Sequence, residues 1–144
     1  MPGTRQRAEE HREARPARRA VIVVGRSART GANYRVEAPD RVLRMFAMLT
    51  ATRGELDLAA VPPGGRARIH RLLETARAEL KRSVSPALAR ELTDLVPLAA
   101  DPGPAELRVE YAGLLGWTSG LVVAMLDQLA PPDNDDHAIC QGKE

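Results

Sequence analysis

Three histidines, one cysteine and a few clustered carboxylates are the side chains of this chain best suited to catalysis or metal binding, and their spacing argues against both. His11, His70 and His137 are scattered along 144 residues, so local spacing pairs no nucleophile with a base. No catalytic residue is assigned. His137 and Cys140 lie near Asp133, Asp135 and Asp136, but a structural zinc site takes four ligands, mainly Cys or His. That segment reads as a solvated acidic tail, with no metal expected. The run Gly25-Arg26-Ser27-Ala28-Arg29-Thr30-Gly31 is basic and bounded by glycines. It lacks the Lys-Ser/Thr ending and following helix with which a P-loop holds phosphate, so no cofactor is expected either.

Charge is unevenly placed. The formal net charge is +2, yet Arg5, Arg7, Arg12, Arg15, Arg18 and Arg19 crowd the first segment while the aspartates gather in the last. Such an arm can bind phosphates by releasing counterions. Here Glu9, Glu10 and Glu13 dilute the charge and aromatic stacking partners are missing, so nucleic-acid binding ranks last among the readings. The lone Cys140 cannot form an intramolecular disulfide, and the apolar run Ala20 to Val24 is too short for a signal-peptide core. A reducing cytoplasm is the expected location.

What the chain must build, then, is a scaffold, and the elements follow from periodicity. Residues 1–38 are rich in Arg, Ala and Gly without a helical apolar period, and read as a basic, mostly disordered arm. Within it Val21-Ile22-Val23-Val24 is β-branched and could pair as a strand or dock; so short an island reads instead as a local sticky patch. Residues 39–130 read as an all-α four-helix bundle and residues 131–144 as a short, flexible, acidic tail. Asp40 is expected to cap a first helix over about 40–53, with Val42, Leu43, Met45, Phe46 and Leu49 on one face. After the Pro62-Pro63-Gly64-Gly65 break, Ile69, Leu72, Leu73, Ala76 and Leu80 give a second helix over about 65–83 its stripe. Ser85-Pro86, a capping serine followed by proline at the first helical position, signals a third, with Leu88, Leu92, Leu95 and Val96, stopped by Pro97. Pro104 and Glu106 open a fourth that runs to about Leu129 before Pro131-Pro132.

The fourth helix is apolar on every side. Leu107, Tyr111, Leu114, Thr118, Leu121 and Met125 alternate by four and three, a coiled-coil type of seam, and Leu115, Val122, Leu126 and Leu129 widen it. Leu107, Tyr111, Leu114, Leu121 and Met125 are the expected bundle core. Opposite them fall Val109, Ala112, Gly113, Gly116, Gly120 and Val123, and no charge occurs between Glu110 and Asp127. Three interior glycines cost about 3 kcal/mol relative to alanine unless close backbone approach returns it. They and Thr118-Ser119 also make the stretch weak as a bilayer span. A subunit interface is therefore expected at Val109, Gly113, Gly116, Trp117, Gly120 and Val123, with Trp117 as its anchor. With aromatics at 3%, a bundle this small is marginal alone, which also points to a homo-oligomer.

The segment from Ala38 to Leu129 resembles the bacterial proteasome activator family of actinobacteria. The likeness rests on Ala105-Glu106-Leu107-Arg108 opening the long helix, Leu114-Leu115-Gly116-Trp117 with Gly120-Leu121 inside it, and Ser85-Pro86-Ala87-Leu88 followed by Arg90-Glu91-Leu92. The resemblance implies a four-helix subunit, an ATP-independent homo-oligomeric ring (a dodecamer in characterised members), and a channel passing unfolded protein to the 20S proteasome, whose gate it opens. It further implies docking on the proteasome α-ring through a C-terminal Gly-Gln-Tyr-Leu. Here the corresponding positions are Gln141, Gly142, Lys143 and Glu144, two of them charged and none aromatic. The expected function is a non-enzymatic activator or adaptor of the core particle; the alternatives are a self-associating scaffold that has lost docking, and the Arg-arm nucleic-acid binder.

Overall fold

The computed structural model describes residues 20–57 and 62–130. The rest of the basic arm with His11, and the tail with His137, Cys140 and residues 141–144, lie outside the described residues. Four helices carry the fold: α1 (Pro39–Asp57), α2 (Pro63–Arg82), α3 (Pro86–Leu95) and α4 (Pro104–Leu129). Each begins at a proline, which fits the first turn because the N–H it lacks has no helical acceptor there.

The helices match the expected bundle, and residues 20–38 add what the all-α reading omitted. Within the stretch assigned to a disordered arm, β1 (Ile22–Arg26) and β2 (Asn33–Val36) pair antiparallel, with Ile22 opposite Val36, Val23 opposite Arg35, and a bulge between Val23 and Gly25. Ser27 N–H donates to the Ala32 carbonyl at 2.8 Å and Gly31 N–H to the Ser27 carbonyl at 2.8 Å, closing the turn. Gly31 has φ 70°, a left-handed conformation that glycine adopts without steric penalty. Ile22, Val24, Tyr34 and Val36 face the helical core, which is why so short a β-branched island folds: tertiary burial supplies what its length cannot.

Caps differ from expectation at two helices. Arg41 and Val42 donate their N–H groups to the Ala38 carbonyl, so Ala38 occupies the cap position of α1. Asp40 sits in the first turn, where its charge suits the amide end, 4.0 Å from exposed Arg44. Gly54 does not stop α1. At α3, Ser85 is the capping residue by position, yet its hydroxyl makes no cap bond and turns to β2 instead.

The core gathers Val36, Val42, Leu49, Leu73, Leu80, Leu88, Leu92 and the inner stripe of α4. A groove lined by Arg66, His70, Asp101 and Gly103 sets the first turns of α2 beside the start of α4. A cleft lined by Arg41, Arg44, Glu79 and Arg82 sets the start of α1 beside the end of α2. Helices α2 and α4 therefore run the same way, with α1 against them. Helix α4 packs against both α1 and β1.

Candidate interaction surface

Every backbone amide of α4 beyond its first turn is satisfied within the helix, so what the helix offers to other groups is its side chains. They divide into two stripes. Leu107, Glu110, Tyr111, Leu114, Thr118, Leu121, Val122 and Met125 are buried, at the three- and four-residue steps that keep side chains on one face. The polar members are tied down: Thr118 Oγ1 donates to the Leu114 carbonyl at 2.7 Å, and the Tyr111 hydroxyl donates to the Leu49 carbonyl on α1. All five expected core residues, Leu107, Tyr111, Leu114, Leu121 and Met125, lie in this stripe.

The outer stripe faces open space. Val109 is 72% exposed and Val123 55%, and Ala112, Gly116 and Gly120 between them are exposed as well. Among the described residues, a Cβ added at Gly116 or Gly120 would meet nothing within 4 Å, so no contact among them accounts for either glycine. Gly113 belongs elsewhere. Its added Cβ would lie 3.4 Å from Val96 Cγ1, and the close approach it permits is to the segment after α3 in the same subunit. Trp117 is likewise partly buried against the subunit's own core. Leu126 is 57% exposed, and Leu129 is exposed too, so both leave the core that was expected to hold them. Leu126 stands about 100° round the helix from buried Met125, and so extends the outer apolar surface. On α3, Leu95 is 64% exposed.

A contiguous apolar surface of this kind on a soluble domain marks a contact site. By length and composition α4 could also cross a bilayer. Its inner stripe is the core of the bundle, however, so that placement would require the bundle to open.

One buried charge was missed in the sequence. Glu110 is only 7% exposed, and its Oε1 accepts the Ala99 N–H at 2.7 Å. His70 Nε2 lies 3.2 Å from the Ala99 carbonyl and 3.6 Å from Glu74 Oε1. Helices α2 and α4 thus hold the two sides of the Ala99 region and fix the connector between α3 and α4. The signal was available: Glu110 falls three residues after Leu107 and four before Leu114, inside the core stripe. These groups are positioned to hold backbone. Among the described residues no three His, Cys, Asp or Glu side chains gather as metal ligands.

Residues 23–131 match the model of the bacterial proteasome activator family. The chain belongs to that family. The match opens inside β1, so the hairpin lies within the region shared by bacterial proteasome activators. Over 89 residues, 60% of this chain, the sequence is 35% identical to the bacterial proteasome activators of Mycolicibacterium smegmatis and Mycobacterium tuberculosis, and 33% identical to that of Mycobacterium leprae. The alignment takes in 51% of each of these relatives, so the chain spans about half the length of the curated bacterial proteasome activators it matches.

Proposed function

We propose that this chain is a non-catalytic, ATP-independent activator of a bacterial 20S proteasome core particle, assembled in the cytoplasm as a homo-oligomeric ring. The observation that carries the reading is the outer stripe of α4: Val109, Gly116, Gly120 and Val123 form an uncharged face whose two glycines have open space above them among the described residues. Glycine in a helix interior costs about 1 kcal/mol relative to alanine, and a neighbouring helix of another copy approaching the backbone closely offsets that loss. Family membership supplies the function to which such a ring is put. Dodecameric assembly, docking on the α-ring, gate opening and passage of unfolded protein are parts of the same proposal.

Stimulation of peptide cleavage tests it. Added to a purified cognate core particle without nucleotide, the chain should raise the rate of peptide hydrolysis, and a version carrying Gly-Gln-Tyr-Leu at positions 141–144 should raise it further. If neither version changes the rate while both form complete rings, the activator reading is wrong and a self-associating scaffold takes its place.

A further inference from the structure

The cleft between the start of α1 and the end of α2 holds an excess of positive charge that the fold leaves unused. It has a volume of about 440 Å³ and is lined by Arg41, Arg44, Met45, Glu79 and Arg82. Arg82 pairs with Glu79 along its own helix, and Arg44 reaches Asp40 only at 4.0 Å with both side chains mostly exposed. Arg41 has no ion-pair partner among the described residues. Three arginines and a single glutamate therefore line the cleft. Guanidinium forks match carboxylates in geometry as well as charge.

We infer that this cleft is the docking site for the acidic segment of the chain's own C-terminal tail around Asp133, engaged through Asp135 and Asp136. Reach and charge both favour it. Tyr111 on α4 bonds Leu49 on α1, and the two helices run in opposite directions. Eight residues onward from Tyr111 and eight back from Leu49, about 12 Å along each axis, bring Ser119 level with Arg41. Leu129 then lies about 15 Å past that level, with roughly 8–10 Å between helix axes. An extended chain covers about 3.3 Å per residue, so Asp135 and Asp136, five and six residues after Ala130, span about 17–20 Å. That suffices to fold back to the cleft. Single exposed ion pairs are weak, about 0–1 kcal/mol, but Asp135 and Asp136 on a short tether meet the cleft at an effective concentration in the millimolar range. The latch is intramolecular and independent of whether the chain activates a protease.

Cys140 is the only cysteine, and a nitroxide attached to it in the full chain reports on the tail directly. At about 0.01 M salt, where charges act over roughly 30 Å, the label should tumble severalfold more slowly than at about 1 M, where they act over roughly 3 Å. The triple variant Arg41→Glu, Arg44→Glu, Arg82→Glu should abolish the difference. So should Asp133→Asn, Asp135→Asn, Asp136→Asn, which leaves every described residue untouched. To identify the chain that is latched, Ala78→Cys, one turn before Arg82, should form an intrachain disulfide with Cys140 at low salt. A label equally mobile at both salt concentrations, a salt effect that survives either triple variant, or a disulfide formed only between chains would each overturn the inference.

Discussion

The Ser85 hydroxyl accepts the Arg35 N–H at 3.0 Å, and the Ser85 N–H donates to the Arg35 carbonyl at 2.8 Å. This two-way link joins residues 50 apart in sequence and binds the edge of β2 to the start of α3. Next to it, the Glu37 and Ala38 N–H groups donate to the Ser83 carbonyl at 2.8 and 3.0 Å. The hairpin is thus held to the α2–α3 corner by main-chain bonds as well as by apolar packing.

Ser85→Ala should test that attachment. It leaves the Arg35 N–H without its acceptor in a part-buried place, a loss of about 1 kcal/mol. Hydrogen exchange is expected to quicken at the amides of β1 and β2 while those of the buried stripe of α4 keep their protection. Uniform acceleration throughout the bundle would show that the hairpin has no separate attachment.

Glu110→Ala removes the acceptor of the Ala99 N–H and leaves a small void in the core stripe. Its stability should fall by about 1–3 kcal/mol, measured as a lower midpoint of denaturant unfolding. Glu110→Gln retains an acceptor oxygen, so the loss should be smaller. An alanine variant as stable as the parent chain would mean that the Glu110 bond does not hold the connector.

Gly113 and Gly116 lie one turn apart, yet leucine should act differently at each. At Gly113 the new side chain meets Val96, and overpacking should lower the stability of the subunit by about 1–3 kcal/mol. At Gly116 there is open space among the described residues. Leucine there should raise helix stability by up to about 1 kcal/mol while blocking the approach of a neighbouring copy, so the mass in light scattering should drop. An unchanged mass for Gly116→Leu would refute the outer stripe as an interface.

Most of the helical framework was legible because the apolar residues recur at helical spacing and prolines mark the starts. The inner stripe of α4 could be read from Leu107 to Met125 by the same rule. Other features depended on contacts distant in sequence. The hairpin escaped because β2, Asn33-Tyr34-Arg35-Val36, is half polar and gains its place only by pairing with β1 and by bonding to Ser85. The cap of α1 was set two residues too late, although Pro39 marked the first turn. The Ser85 hydroxyl was assigned to its own helix when the Arg35 amide 50 residues away had the stronger claim on it. On α4, Gly113 looked equivalent to Gly116 because sequence spacing cannot say where the segment after α3 will lie. Leu126 and Leu129 looked like core because an unbroken apolar run does not reveal which flank its neighbours cover.

The most direct test of the ring is the mass of the purified chain at micromolar concentration, by sedimentation equilibrium or light scattering. The uncharged outer stripe of α4 predicts a single assembly whose mass is a whole multiple of 15.6 kDa, falling to one subunit when Val109 and Val123 are both changed to lysine. A well-folded monomer of the parent chain would contradict it.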